Sequence, residues 1–304
     1  MNEETVFVRN IQKLKKEKNA VILAHNYQTE EVQLVADFIG DSLELSRKAA
    51  AVQPDVIVFA GVKFMAETAK ILSPQKRVWL PRLDAGCPMA DMITVEELRE
   101  LKSQHADAMV VSYVNSSVEI KAESDVCCTS ANAVSVVRHV DADKIIFVPD
   151  QNLGGYVQKM VPEKRLILFE GYCYVHNRIK IWEVEEMKRL HPAATIIAHP
   201  EVRMEILDLA DQILSTSGML AYVKSSPDPE FIVLTEQGLI QRMKRENPGK
   251  NFFPAFTPKI CQNMKKTSLA DLYDSLSEEK FEITVAPGIR EKAFRALQEM
   301  IKYD

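Results

Sequence analysis

The sequence of 304 residues contains no stretch approaching the eighteen or so consecutive apolar residues that a membrane span needs. It has no basic excess either, because 43 Asp and Glu outnumber 38 Lys and Arg and the net charge is −5 with the six histidines neutral. A chain without a basic field is not expected to hold nucleic acid or anionic lipid. We therefore expect neither a nucleic acid nor a membrane as a partner.

Several local signatures are also missing. No helix-turn-helix pattern, basic stripe or Gly-rich dinucleotide fingerprint supports a regulator or a dehydrogenase. The first twenty residues are charged and helix-patterned, and they lack the continuous apolar segment of a secretion signal. We therefore expect a cytoplasmic protein. Its five cysteines are an odd number, and disulfides are not expected because the cytosol keeps thiols reduced.

The sequence does contain a threefold repeat. Three apolar runs end in polar residues: VILAHNY at 21–27, MVVSYVN at 109–115 and TIIAHPE at 195–201. An aspartate recurs after each run, with Asp125 following Asp37 by 88 residues and Asp211 following Asp125 by 86. Two further strand-like runs and one cysteine follow in each unit at closely similar intervals. This agreement indicates three copies of one structural unit.

The repeat also predicts the fold class. Within each unit, short β-rich runs alternate with amphipathic helical stretches, which is typical of a parallel sheet covered by helices on both faces. The sequence therefore predicts an α/β fold of three pseudo-threefold-related three-layer αβα domains, each with a small parallel sheet, around a central active site. The predicted domains are residues 1–86 with 262–304, residues 87–172 and residues 173–261. We expect the terminal helices to pack on the first of these.

Polar residues at the ends of the first strands are candidates for function. Ligands of open parallel sheets bind beyond the carboxyl ends of the strands, and three equivalent domains would turn these ends towards one cavity. Each residue alone is more often structural, as a satisfied histidine, a core aromatic or a surface carboxylate. Together, at equivalent positions, they favour an active site. The aligned residues are His25, Tyr113 and His199, followed by Tyr27, Asn115 and Glu201.

One hydroxyl residue in each unit lies five positions after the repeated aspartate, as Ser42, Ser130 and Thr216. All three precede helical patterns, and helix N-termini with hydroxyl groups suit phosphate and carboxylate ligands. Simple capping of the helices is the alternative interpretation. Because the three hydroxyls lie at equivalent positions, anion binding and helix capping are equally favoured interpretations.

Each unit also supplies one cysteine, Cys87, Cys173 or Cys261. Three thiolates meeting at one end of the axis would leave a metal centre with one open position, and an open iron of a cubane cluster can act as a Lewis acid. A zinc site with three cysteines and an exchangeable water is the main rival, and inert buried thiols are a third interpretation. Cys127 and Cys128 break the pattern and are interpreted as core or strand-end thiols.

These motifs together resemble the quinolinate synthase A family over nearly the whole chain. The resemblance implies a triangular assembly of three α/β domains around a [4Fe–4S] cluster held by three cysteines. It also implies a transferase that condenses iminoaspartate with dihydroxyacetone phosphate to quinolinate, phosphate and water, on the de novo route to NAD. The motifs are HNYQ, ADFIGDSLELSRKA, FMAETAKIL, CPMA, YVNSS, TSANAV, HPE, STSGM and CQNMK.

The resemblance implies roles for thirteen residues. The cluster ligands would be Cys87, Cys173 and Cys261, and ten more residues fall on family active-site positions: His25, Tyr27, Ser42, Tyr113, Asn115, Ser130, His176, His199, Glu201 and Thr216. Our hypothesis assigns acid–base chemistry to Glu201 and Tyr27, and orientation of substrate or proton relay to His25 and His199. The remaining six would bind substrate. The stretches GCPMA, STSGM and GYCYVHN depart from the usual family pattern and leave the ligand set intact.

Two other functions stay open at this stage. A binding or sensing module would use a cluster or zinc to report redox state or metal, and would not need the polar strand ends. An iron–sulfur hydro-lyase acting on a small dicarboxylate would release no phosphate. If the chain is a synthase, an enzyme that supplies iminoaspartate, an aspartate oxidase or dehydrogenase, is an expected transient partner.

Overall fold

The computed structural model describes residues 3–303. Within this range, three four-stranded sheets are each flanked by helices, and every strand pairing in them is parallel. The predicted α/β fold of three αβα units is confirmed. The strand order is the same in each sheet, with the second strand of the unit at one edge, then the first, the third and the fourth.

The elements follow the repeat. The first unit contains α1 (Glu3–Glu17), β1 (Ala20–His25), α2 (Glu30–Val35), β2 (Phe38–Gly40), α3 (Ser42–Ala51), β3 (Val56–Ala60), α4 (Lys63–Leu72) and β4 (Arg77–Trp79). The second contains α5 (Val95–Gln104), β5 (Met109–Tyr113), α6 (Val118–Ala122), β6 (Val126–Cys128), α7 (Ala133–His139), β7 (Lys144–Val148), α8 (Gln151–Met160) and β8 (Arg165–Leu168).

The third unit has the same pattern with an additional short helix at its start. It contains α9 (Tyr174–Asn177), α10 (Ile181–Leu190), β9 (Thr195–Ala198), α11 (Met204–Leu207), β10 (Gln212–Ile213), α12 (Thr216–Ser225), β11 (Glu230–Leu234), α13 (Gln237–Glu246) and β12 (Asn251–Pro254). Two helices follow, α14 (Leu269–Glu278) and α15 (Pro287–Met300).

The repeated aspartates connect the first two strands of each unit. Asp37 accepts a hydrogen bond of 2.8 Å from the backbone N–H of Ile22, and its own N–H donates to the carbonyl of the same residue. Asp125 and Asp211 make the same pair of bonds to Val110 and Ile196. The repeated aspartate therefore has a structural role. It pairs with backbone groups of the first strand, which need partners in a buried sheet, and so holds the edge strand beside it.

The strands are buried on both faces. All five residues of β3 and four of the five residues in β5, β7 and β11 are buried, which explains why these runs are apolar without alternation. One large core cluster extends through all three units, and smaller clusters lie under the outer helices. Among residues 3–303, no helix has both the length and the apolar character of a membrane span.

The terminal helices join the units in different ways. Helix α1 packs on α14 and β1, and α14 also contacts β3, so both lie against the first unit. Helix α15 packs against α4 of the first unit and against α6 and β6 of the second. It therefore lies in the seam between two units. The domain boundaries at residues 87, 173 and 262 stay a prediction.

Candidate active site

One cavity lies where the carboxyl ends of the first strands of the three sheets meet. The space inside it is about 690 Å³ when the part open to solvent is included. The structure brings all thirteen predicted residues to its wall: His25, Tyr27, Ser42, Cys87, Tyr113, Asn115, Ser130, Cys173, His176, His199, Glu201, Thr216 and Cys261. The two remaining cysteines, Cys127 and Cys128, are fully buried on β6 and do not line it.

Two histidines occupy equivalent turns after β1 and β9. Nδ1 of His25 accepts the backbone N–H of Tyr27 at 3.1 Å, and Nδ1 of His199 accepts that of Glu201 at 3.4 Å. In the neutral ring the proton is then on Nε2, and Nε2 of His199 lies 3.1 Å from Oγ of Ser130. Burial, with the charge of the other histidines, lowers the pKa of both His25 and His199 to about 3. Both rings are therefore neutral near pH 7.

A chain of polar contacts crosses the cavity wall from the first unit to the second through the third. A hydrogen bond of 2.7 Å joins the hydroxyls of Tyr27 and Thr235, and Oγ1 of Thr235 lies 2.9 Å from Nε2 of His176. Nδ1 of His176 lies 2.6 Å from Oε2 of Glu201. The hydroxyl of Tyr113 donates to the other oxygen of Glu201 at 2.5 Å. Hydrogen bonds thus join Tyr27 to His176 and Tyr113 to Glu201, whereas Nδ1 of His176 lies close to Glu201 without making a hydrogen bond among residues 3–303.

The pKa values along this path of contacts are shifted in opposite directions for the carboxyl group and the two phenols. Burial opposes ionisation of Glu201, but His176, His199 and the hydrogen bond from Tyr113 outweigh it, so the pKa of Glu201 is lowered. Burial and the neighbouring Glu201 raise the pKa of Tyr27 and of Tyr113 well above the usual phenol value. The site thus holds one carboxylate as a proton acceptor between two phenols that stay protonated.

The hydroxyl residues lie at helix starts without serving as caps. Helix α3 is capped by Asp41, whose carboxylate accepts two backbone N–H groups, and α12 is capped by Ser215. Ser42 and Thr216 each come one residue later. The capping alternative is therefore wrong for these two. Both residues line the cavity in the first turn of a helix, where the helix dipole favours anions.

The three cysteine thiols share one local arrangement. In each unit the backbone N–H of the residue three positions later acts to lower the thiol pKa, that of Ala90 for Cys87, of His176 for Cys173 and of Met264 for Cys261. Burial raises the pKa of all three thiols, that of Cys87 to about 12. These sulfurs would therefore become thiolates on binding a metal, and N–H groups directed at sulfur are typical of iron–sulfur ligands.

The spacing of the donor atoms bears on the kind of metal. Three thiolates on one tetrahedral zinc lie about 3.8 Å apart, given Zn–S bonds of 2.3 Å. Within residues 3–303, the group whose ligand atoms all lie within 4.8 Å of one another is Cys173, His176 and Glu201, and the three thiols do not form such a group. Thiols that share a cavity at wider spacing fit a cluster, in which each sulfur binds its own iron.

Comparison with known proteins gives a family. The sequence model described as "Quinolinate synthetase A protein" matches residues 9–302. The chain is 50% identical over 299 residues to the quinolinate synthase of Alkaliphilus metalliredigens, covering 98% of this chain and 99% of the relative. It is 52% identical over 294 residues to that of Thermodesulfovibrio yellowstonii, covering 97% of each. The chain belongs to the quinolinate synthetase A family.

Membership of the quinolinate synthetase A family confirms the resemblance from which the roles of the thirteen residues were inferred. A third relative, the quinolinate synthase of Methanoregula boonei, is 50% identical over 301 residues and covers 99% of both chains. The match to each of these relatives extends through all three units. The roles of the individual residues remain hypotheses.

Sequence reasoning missed Thr235 in this family member. It follows β11, and it is the repeat equivalent of Pro149 after β7 and Gly61 after β3. Because that strand lies beside the first strand in each sheet, its carboxyl end reaches the same cavity edge. Treating the third strand in the same way as the first would have identified Thr235 as a candidate.

Proposed function

We propose that the chain synthesises quinolinate from iminoaspartate and dihydroxyacetone phosphate, on the route to NAD. The observation that carries this proposal is the convergence of three thiols, one from each unit, on a cavity whose wall also holds an acid–base chain. The family relationship supports it, because the named relatives are quinolinate synthases.

The substrates are small anions, and the cavity offers groups that suit them. Ser42 and Thr216 stand at the starts of α3 and α12, where helix N–H groups and dipoles favour phosphate or carboxylate. Asn115 lines the cavity, and its buried side-chain oxygen has no hydrogen-bond partner within residues 3–303. A buried polar atom without a partner is costly, so a substrate that pairs with it gains affinity. We assign substrate binding to these residues with Ser130, Tyr113 and His176.

The three thiols are suited to hold a [4Fe–4S] cluster. Cys87, Cys173 and Cys261 would be its ligands, each with a backbone N–H directed at the sulfur. When bound, such a cluster would supply one open iron as a Lewis acid for a substrate oxygen or nitrogen. Glu201 and His176 lie within 4.8 Å of the Cys173 sulfur, so the acid–base groups border the place where that chemistry would occur.

We assign the proton transfers of the reaction to the residues of the polar path between Tyr27 and Glu201. Forming the ring requires removal of protons from carbon and delivery of protons to departing hydroxyl and phosphate groups. We assign Glu201 as the base and Tyr27 as the acid, because near pH 7 the carboxyl group is ionised and the phenol is protonated. Proton transfer is most efficient when such pKa values lie near the working pH, so bound substrate would have to bring both closer to it. Thr235 and His176 connect the two and would return the proton between steps. His25 and His199 orient substrate, because at a pKa of about 3 they are neutral near pH 7 and their Nε2–H groups can donate hydrogen bonds.

The transferase and the cluster are tested together. We would purify the chain without oxygen and measure iron, sulfide and zinc in the wild type and in Cys87→Ala, Cys173→Ala, Cys261→Ala and, as a control, Cys127→Ala. About four iron and four sulfide per chain are expected in the wild type and the control, and loss in the other three. Formation of quinolinate and phosphate from the two substrates would then establish the activity.

Two other results would overturn the proposal. Zinc without sulfide, retained in Cys87→Ala but lost in His176→Gln, would place a mononuclear metal at Cys173, His176 and Glu201 and favour a binding module. A loaded protein that transforms a small dicarboxylate without releasing phosphate from dihydroxyacetone phosphate would be a hydro-lyase.

A further inference from the structure

A buried carboxylate links the turn that carries Cys261 to the rest of the third unit. Glu236 is fully buried and caps α13, with one oxygen accepting the N–H of Gly238 at 2.6 Å. Its other oxygen accepts the N–H of Cys261 at 3.1 Å. Glu236 therefore holds the backbone of a cysteine that lines the cavity.

A lysine then connects this carboxylate to the first unit. Nζ of Lys265 lies 3.0 Å from Oε1 of Glu236, and it also donates a hydrogen bond to the backbone carbonyl of Tyr27. Lys265 belongs to the same turn as the cysteine, since its N–H donates to the carbonyl of Cys261 at 3.3 Å. We call this Lys–Glu pair, together with its contacts to Cys261 and Tyr27, the Glu236–Lys265 bridge.

Gly238 shows how closely the bridge is packed. A Cβ atom at this position would lie 2.7 Å from Nζ of Lys265, 2.9 Å from Oε2 of Glu236 and 2.9 Å from the carbonyl oxygen of Tyr27. All three distances are shorter than van der Waals contact allows. Glycine is therefore required here for the approach of the two units, and any side chain would separate the members of the bridge.

We infer that Lys265 and Glu236 are positioning residues that couple the Cys261 turn to Tyr27. The inference rests on the proposed function, in which Cys261 binds the cluster and Tyr27 is the acid. One ion pair, between the buried carboxylate of Glu236 and the partly exposed Lys265, contacts the backbone of both residues, so a displacement of one is transmitted to the other. A buried carboxylate without its cation is unfavourable, and removing Lys265 would release Glu236 and the turn together. Neither Lys265 nor Glu236 lines the cavity.

The test measures the environment of Tyr27 and the retention of iron in two separate experiments. The protein is purified without oxygen with 3-fluorotyrosine in place of its eight tyrosines, and the Tyr27 signal is assigned by ¹⁹F NMR with Tyr27→Phe. We expect Lys265→Met and Gly238→Ala to displace the Tyr27 signal and to release iron to a chelator about 10- to 100-fold faster, as loss of outer-shell partners does. In turnover, kcat should fall about tenfold while KM for each substrate changes less than about threefold.

Matched controls separate the bridge from general effects of substitution. Lys244→Met makes the same change on the exposed face of α13, and Gly249→Ala adds a methyl group where nothing lies within 4 Å; both should behave as wild type. If Lys265→Met does not fold, the coupling is tested with Gly238→Ala alone. An unchanged Tyr27 signal or an unchanged rate of iron release in the folded variants would overturn the coupling. A wild type without iron or quinolinate formation would instead overturn the proposed function, and the Tyr27 signal would still decide for or against the bridge.

Discussion

The hydroxyl of Tyr113, at the end of β5, donates a hydrogen bond of 2.5 Å to Oε1 of Glu201, which follows β9. This bond joins the second and third units at the cavity and places a phenol that stays protonated against a carboxylate that stays ionised. The other oxygen of the same carboxylate faces His176 at 2.6 Å. Glu201 is thus the residue at which contacts from different units meet.

Replacing Glu201 by Gln should abolish most of the activity. The amide keeps the shape of the side chain but cannot accept a proton from substrate, and general acid–base catalysis of this kind contributes about 100- to 10,000-fold in kcat. Glu205→Gln, four positions later and exposed, is the matched control and should leave kcat unchanged. Turnover is measured as quinolinate formed by protein with a verified cluster content. Equal rates for Glu201→Gln and wild type would remove Glu201 from the acid–base set.

Thr235→Val should weaken the path between Tyr27 and His176, leaving only the longer direct contact of 3.4 Å between the Tyr27 hydroxyl and Nε2 of His176. Valine has nearly the same shape as threonine, but it leaves the Tyr27 hydroxyl and Nε2 of His176 without their common partner. The loss of one such buried bond corresponds to about a tenfold fall in kcat. Thr235→Ser keeps the hydroxyl and should retain most of the activity. If valine and serine variants turn over equally, Thr235 has no part in proton transfer.

Thr216→Val should weaken the binding of dihydroxyacetone phosphate. Its hydroxyl lies at the start of α12 and accepts a hydrogen bond of 2.8 Å from Asn26, which holds the side chain at the cavity wall. Removing one hydrogen bond to a bound anion should raise KM about tenfold with little change in kcat. Ser225→Ala at the exposed end of the same helix is the control. A change in KM for iminoaspartate instead would assign the loop to the other substrate.

The buried histidines should make the fold sensitive to mild acid. The pKa of His25 and of His199 is lowered to about 3 in the folded chain, so between the ordinary value of about 6.5 and that pH the unfolded chain binds protons that the folded chain does not. Stability is therefore complete above about pH 6.5 and falls below it, by about 1.4 kcal/mol per pH unit for each histidine.

Urea unfolding at about pH 7.5, 6.5 and 5.5 measures this dependence. The double variant His25→Gln/His199→Gln should give a flatter pH profile than the wild type. His139→Gln changes an exposed histidine and should not alter the slope. A wild-type midpoint that is the same at all three pH values would show that these two rings do not govern acid sensitivity.

The sequence alone determined the architecture and the membership of the cavity. Intervals of 86 and 88 residues repeat the same strands, aspartates, hydroxyls and cysteines, and a repeated pattern folds into repeated units because each unit buries its own sheet. The rule that ligands bind at the carboxyl ends of parallel strands then brought His25, Tyr113 and His199 to one place.

The tertiary structure alone decided how these residues act on one another. Thr235 between Tyr27 and His176, the caps Asp41 and Ser215 in place of Ser42 and Thr216, and the Glu236–Lys265 bridge were not predicted from spacing. Helix α15 likewise packs between two units although it follows the third in sequence. The repeat identifies which residues of each unit lie at the cavity, because their place is set by the strands and helices within that unit. Contacts between units depend on side-chain rotamers and on packing across the seams. Equivalent positions carry different residues there, so the repeat does not predict those contacts.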